Sequence, residues 1–362
     1  HCREPGHEEE ETIATAGAAA VAGGFATICA MPNTHPPLDN ESAIQTVIER
    51  AKDARQARVL PVGSVTKGRE GKELAEMGMM LSAGAVAFSD DGEGVGSTAL
   101  MYRALQYAGL LGMPLMQHCQ DPDLAGGDMN SGAVAVRLGL RGIADFGEQI
   151  MLRRDLELVR RSGARYHVQH VSTAGSVELI RQAKAAGLPV TAEATPHHLL
   201  LTDAACAGYD SVYKVNPPLR SAADVEALRA GVADGTIDCL ATDHAPQAAE
   251  EKELEFALAP FGMIGMECAL GLYVKALVDT GLMDWPELIA AMTSRPAAVI
   301  GRAMGTLAAG AEADVTVIDP KKRWTVRAAK FRSKSRNCPY EGWRLKGRAV
   351  ATIVAGEVRY QA

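Results

Sequence analysis

Seven short apolar, β-rich runs recur along the chain: FATICAM (25–31), ARVLPVGSV (57–65), AGAVAFS (83–89), MPLMQH (113–118), YHVQHV (166–171), LPVTAEA (188–194) and DCLATD (238–243). Runs that are apolar throughout, rather than alternating with polar residues, read as strands buried on both faces. Helical patterning fills most of the intervals, as in ESAIQTVIERAKDA, STALMYRALQYAGLL, GEQIMLRRDLELVRR and AGSVELIRQAKAAG, with glycine following the last two as a helix stop. Alternation of strand and helix predicts an α/β parallel sheet with helical crossovers, closed as a (β/α)₈ TIM barrel. Seven strands leave one position of the barrel open. Its natural place is just upstream of His1, outside the sequence, which would put His1 on the loop leaving a first strand.

A chain of 362 residues is longer than one such barrel requires. The texture changes near Gly305, where GTLAAGAEADVTVIDP and then RAVATIVAGEVRY read as short strands separated by turns. The expected division is a barrel over 1–304 and, over 305–362, the C-terminal part of a small β-sandwich whose remaining strands would also lie upstream. A formal net charge of −7, with no long basic stretch, argues against nucleic acid and for a small-molecule ligand. The seven scattered cysteines contain no CxxC pair, which argues against a disulfide framework and for a reducing, cytoplasmic setting. No apolar run approaches the ~20 residues that cross a bilayer.

Catalytic groups of a parallel barrel come from the C-terminal ends of its strands. Here those ends carry His118 after MPLMQ, His170 beside the end of YHVQHV, Asp243 closing DCLATD, Asp90 and Asp91 in FSDD, and Asn33 in MPNT. With His1 they offer three imidazoles and at least two carboxylates to one rim, a donor set suited to a borderline cation such as zinc. Period-two alternation in YHVQHV groups Tyr166, Val168 and His170 on one face and His167 with Gln169 on the other. With His170 assigned inward, His167 is expected to face the helices as a structural histidine. His197 and His198 in TPHHLL read as structural or as neighbours of the ligands.

The stretches HCREPGHEEEETIATAGAAAVAGGFATICAMPNTHPPLDN, FSDDGEGV, QHCQD, HVQHVSTAGS, TAEATPHHLL, KVNPPLR and ATDHAP resemble the bacterial class I dihydroorotases of the amidohydrolase superfamily, over essentially the whole chain. The resemblance implies a metal-dependent barrel with a β-sandwich built from both termini. It also implies reversible cyclisation of N-carbamoyl-L-aspartate to L-dihydroorotate, a step of pyrimidine (UMP) biosynthesis, by a metal-held hydroxide. His1 is similar to the second histidine of the family's HxH motif. Asp91, His118, His170 and Asp243 then complete the ligands of two Zn²⁺ ions, with Asp243 the acid/base; choosing Asp91 over Asp90 rests on the resemblance. Substrate contacts carried over are His1, Arg3, Asn33, Asn216 and the segment Phe261–Gly262, with Gln247 standing in HAPQ where the family has histidine. Hydantoin-type relatives carry a carboxylated lysine where this chain ends a strand in FSDD, which favours the dihydroorotase branch. The alternatives are another cyclic amidase of the hydantoinase or allantoinase type, and a non-catalytic homologue serving an aspartate carbamoyltransferase as structural partner. The family also leaves room for a homodimer.

Overall fold

The computed structural model describes all 362 residues. Helix α1 (Ile13–Gly23) is followed by β1 (Thr27–Ala30), α2 (Glu41–Ala54) and β2 (Arg58–Pro61), so the βαβ rhythm is present from the start. Then come α3 (Met77–Ala83), α4 (Thr98–Leu110), β3 (Leu115–Gln117), a side pair β4 (Met129–Asn130) and β5 (Gly142–Ile143) around α5 (Ala133–Leu138), and α6 (Asp145–Ser162). The barrel continues through β6 (Tyr166–Val168), α7 (Ala174–Ala185), β7 (Val190–Ala194), α8 (Pro196–Leu200), α9 (Ala222–Ala233) and β8 (Cys239–Leu240). Helix starts follow local chemistry: Asn40, Ser97 and Thr173 each accept a backbone N–H at the first turn of α2, α4 and α7.

Pairing is parallel throughout the barrel: β1 with β2, and β3, β6, β7 and β8 in that order. AGAVAFS does not form the regular strand its sequence suggests. It joins the two groups through single bridges, Gly63 to Phe88 and Phe88 to Leu115. The resulting order, β1, β2, AGAVAFS, β3, β6, β7 and β8, follows the chain with only the side pair β4–β5 left out, as a barrel requires. No ladder joins β8 to β1. Between them lies a cavity of about 810 Å³ lined by Ile28 and Leu60 on one side and Leu240 and Asp243 on the other.

The side-chain layers correct one expectation. Tyr166 and Val168 belong to the main apolar core with Val177 and Ile180 of α7, and the Tyr166 hydroxyl donates to Asp155 of α6 at 2.8 Å. They therefore face the helices, and His167, paired in register with Thr191, faces the barrel interior and bonds Thr191 and Glu193. His170 lies two residues beyond the end of β6 with φ of 29°, so the chain has turned before it and strand alternation no longer applies.

After the barrel, β9 (Val315–Thr325), β10 (Arg344–Val354) and β11 (Glu357–Gln361) form an antiparallel sheet, the flank of a β-sandwich. Its tight β10–β11 turn uses Ala355 and Gly356, both at positive φ, the geometry that matches strand twist in a two-residue hairpin. Helix α1 is stitched to this sheet by hydrogen bonds from the Thr352 hydroxyl to Val21 and from Thr316 to Gly24.

Candidate active site

His118, His170 and Asp243 stand just past the ends of β3, β6 and β8, where the backbone is free to leave the pleat. Arg3, His170 and Asp243 adopt positive φ (58°, 29° and 43°), a conformation costing on the order of 1–3 kcal/mol for a residue with a Cβ. Such strain is tolerated where surrounding bonds over-determine it, and here it aims three polar side chains at one rim.

Asp91, His118 and His170 are buried and form a compact triad. His118 Nδ1 lies 3.0 Å from His170 Nε2, which lies 3.2 Å from Asp91 Oδ1. His1 Nε2 sits 3.1 Å from Asp243 Oδ1 and 3.5 Å from Asp91 Oδ2, so Asp91 lies between the two histidine groups. Two imidazole nitrogens and a carboxylate oxygen turned toward one another share a single proton poorly and a cation well, and the donor set matches a borderline divalent metal. The residues fit such an ion.

Electrostatics agree. Burial pushes Asp91 and Asp243 upward, but hydrogen bonds from His170 and His1 and the surrounding imidazoles outweigh it and hold both carboxyls well below the usual range. Burial, reinforced by the charge of His170, lowers His118 to about 4, which leaves it neutral as a ligand must be. His170 is raised to about 9: burial lowers it, and the bond and charge of Asp91 more than compensate, so a cation binding here would have to displace the His170 proton.

Asp90 serves a different purpose. Its Oδ1 accepts the backbone N–H groups of Val65 and Thr66 at 2.8 and 3.1 Å, so it pins the loop after β2 while Asp91 turns to the site. The adjacent pair is thereby divided between architecture and chemistry.

The remaining predicted residues surround this centre. Asn33 Oδ1 accepts from His1 Nδ1 at 2.8 Å, which orients the ring so that Nε2 faces the two aspartates. Arg3 pairs through Nε with Glu10 (2.8 Å) and the Pro246 carbonyl (3.0 Å). Asn216 Nδ2 donates to Gln120 Oε1 at 2.8 Å. Gln247 is buried and donates its amide to the Phe261 carbonyl at 2.7 Å. Gly262 has φ of 135°, and a Cβ there would meet the Ala245 carbonyl at 2.9 Å, so only glycine brings this segment against HAPQ.

Sequence reasoning passed over Gln120 and undervalued His197. His198 is structural, bonded to Thr195 Oγ1 and the Pro217 carbonyl. His197 Nε2 is buried without a hydrogen-bond partner, 3.5 Å from Asp243 Oδ2. The signal for Gln120 was present in QHCQD, where a second polar residue follows the ligand by two positions. A further buried group, His167, Glu193 and Cys239, lies in the barrel interior with its histidine and carboxylate already bonded to each other.

A parallel barrel with a β-sandwich flank and a metal-binding donor set on its C-terminal rim is the architecture of an amidohydrolase. The L-hydantoinase (dihydropyrimidinase) from Arthrobacter aurescens superposes with a TM-score of 0.89 at 26% identity, over 100% of this chain and 83% of that one. The dihydropyrimidinase from Brevibacillus agri NCHU1002 gives 0.84 at 22% identity, over 97% and 80% of the two chains, and shares the fold. Sequence comparison narrows the class. A family model described as "Dihydro-orotase-like" matches residues 1–176. The dihydroorotase of Pelotomaculum thermopropionicum is 53% identical over 362 residues, spanning 100% of this chain and 84% of that protein. That of Anaeromyxobacter dehalogenans (strain 2CP-C) is 52% identical over 364 residues, with 100% and 84% covered. The chain belongs to the dihydroorotase family.

Proposed function

We propose that this protein is a zinc-dependent cyclic amidohydrolase that interconverts N-carbamoyl-L-aspartate and L-dihydroorotate in the cytoplasm, as a step of pyrimidine biosynthesis. The observation that carries this reading is the convergence of His118 Nδ1, His170 Nε2 and Asp91 Oδ1, in a chain 53% identical to a dihydroorotase. His1, Asp91, His118, His170 and Asp243 would hold two ions. Bound there, divalent cations would lower the pKa of a water and polarise an amide carbonyl.

In the hydrolytic direction the oxygen of water adds to the ring carbonyl carbon, the carbon–nitrogen bond breaks, and a proton passes to the departing ring nitrogen. Asp243 is the proton carrier. Its Oδ1 faces His1, and its Oδ2 lies beside His197, a neutral imidazole that burial lowers to about 4 and that leaves the carboxylate free to accept. Arg3 is held by Glu10 and Pro246 through Nε, so its two terminal nitrogens remain to grip the substrate carboxylate as a planar fork. Asn33 steadies His1, and Asn216 offers a directional amide to the ring. Gln247, Phe261 and Gly262 form the wall that excludes bulk water from the reacting bond.

The test is hydrolysis of dihydroorotate, followed beside hydantoin and allantoin. Turnover of dihydroorotate alone supports the assignment; preference for hydantoin would replace it with the hydantoinase reading.

A further inference from the structure

Gln120 is not among the ligands or substrate contacts, yet it touches one of each. Its Oε1 lies 2.9 Å from His118 Nε2 and accepts from Asn216 Nδ2 at 2.8 Å. The two nitrogens converge on this one oxygen closely enough to stand 3.3 Å apart. On their far sides, His118 Nδ1 faces His170 Nε2 at 3.0 Å, and Asn216 Oδ1 is buried with no hydrogen-bond partner.

A neutral imidazole carries one N–H and one lone pair, so an acceptor at Nε2 assigns the proton there and the lone pair to Nδ1. The same oxygen fixes which way the Asn216 amide turns. With its NH₂ committed to Gln120, its carbonyl oxygen points away from Gln120 and is left buried without a partner. A buried acceptor left without a partner is unfavourable until a ligand supplies a donor.

We propose that Gln120 is a positioning residue acting on both halves of the site: it holds His118 in the Nε2–H tautomer, with Nδ1 free for a metal, and turns Asn216 so that Oδ1 accepts an N–H of the substrate. The inference deepens the functional reading above and rests on it for the identity of that substrate. It specifies the chemistry Asn216 selects, an amide or carbamoyl N–H rather than a carbonyl or ester oxygen, which would meet an acceptor with an acceptor.

Long-range ¹H–¹⁵N correlation spectra of the metal-free protein read the tautomer directly, with His118 assigned by its loss in His118→Gln. The Nε2–H pattern is expected. The Nδ1–H pattern, which follows if both amides are turned over, overturns the proposal. In parallel, Co²⁺ is titrated into wild type, Gln120→Leu and Gln120→Glu. Gln120→Leu removes the acceptor and should weaken Co²⁺ binding by about 10–100-fold. Gln120→Glu keeps an acceptor oxygen and should bind Co²⁺ close to wild type. In steady-state kinetics with Co²⁺ saturating, Gln120→Leu should raise KM for dihydroorotate more than it lowers kcat. Co²⁺ affinity of Gln120→Leu within twofold of wild type would also overturn the proposal. The spectrum and the titration do not depend on turnover, so inactivity toward dihydroorotate would remove the functional reading while these two readouts still judge the role of Gln120.

Discussion

Asp90 and Asp91 are neighbours of the same type, and their roles differ because one is saturated by backbone donors and the other faces three imidazoles. Composition and spacing alone could not separate them, since a strand end can present either residue to the rim. Asp243 is the residue on which the proposed chemistry depends most. Asp243→Asn removes the proton carrier and a ligand oxygen together and is expected to lower kcat in both directions by about 10²–10⁴-fold, measured at saturating substrate. Near-normal turnover would reassign the acid/base. Gln247 illustrates a smaller effect. Gln247→Leu loses the bond to the Phe261 carbonyl but no ligand, so KM for dihydroorotate should rise several-fold with kcat nearly preserved. A loss confined to kcat would place Gln247 in the chemical step.

Elements were legible in the sequence where hydrophobic period and caps agree. ESAIQTVIERAKDA is helical over the same fourteen residues in the structure, and β1, β2, β3, β6, β7 and β8 all fall inside apolar runs picked out by composition. AGAVAFS was less legible because single bridges suffice to hold it between its neighbours. His167 was misplaced for a definite reason. Alternation was counted from His170, but β6 ends at Val168 and the backbone reverses hand at His170, so the count began outside the strand. The rim segment after HAPQ is another case, since its Ala- and Glu-rich sequence does not show the tertiary bonds that hold it. Lys252 in α10 (Ala249–Lys252) donates to the carbonyls of Ser211 and Pro260, each at 2.8 Å. Burial, with the nearby charge of Lys214, lowers Lys252 from 10.5 to about 7. The folded pKa lies below the unfolded one, so between about pH 7 and 10.5 the unfolded chain binds the extra proton and stability rises with pH. Lys252→Met should flatten that rise in chemical denaturation. It should also speed hydrogen exchange of the amides at 253–262 by about tenfold, the equivalent of one lost charged hydrogen bond. An unchanged pH dependence would show that another group is responsible.

At the scale of the whole molecule, distant segments meet behind the site. Glu11 is fully buried, lies 3.4 Å from His244 Nε2 next to Asp243, and accepts from the Lys334 backbone at 3.0 Å, with Ser333 also bonded to it. Asn337 likewise donates to the carbonyls of Ala245 and Gly262. These contacts were invisible in the sequence because they join distant positions, more than 300 residues apart for Glu11 with Ser333 and Lys334, and depend on how the β-flank docks. Burial raises Glu11, and its bonds to His244, Ser333 and Thr15 more than offset this, leaving its pKa lowered. Its stabilising contribution is therefore present above the unfolded carboxyl pKa and is lost as pH falls through the folded one. Glu11→Ala should cost about 3 kcal/mol or more at neutral pH by denaturant titration, since it leaves buried donors unpaired. A cost below 1 kcal/mol would mean that the two ends of the chain are not coupled through this carboxylate.

Whether the converging histidines and aspartates make a metal-dependent dihydroorotase is read from dihydroorotate hydrolysis before and after metal removal. Protein dialysed against a chelator and then returned to stoichiometric Zn²⁺ is assayed from the loss of dihydroorotate absorbance, with metal content measured on the same samples. Turnover should disappear with the metal and return in proportion to the zinc restored. Full activity in metal-free protein, or zinc binding without any dihydroorotate turnover, would contradict the proposed function.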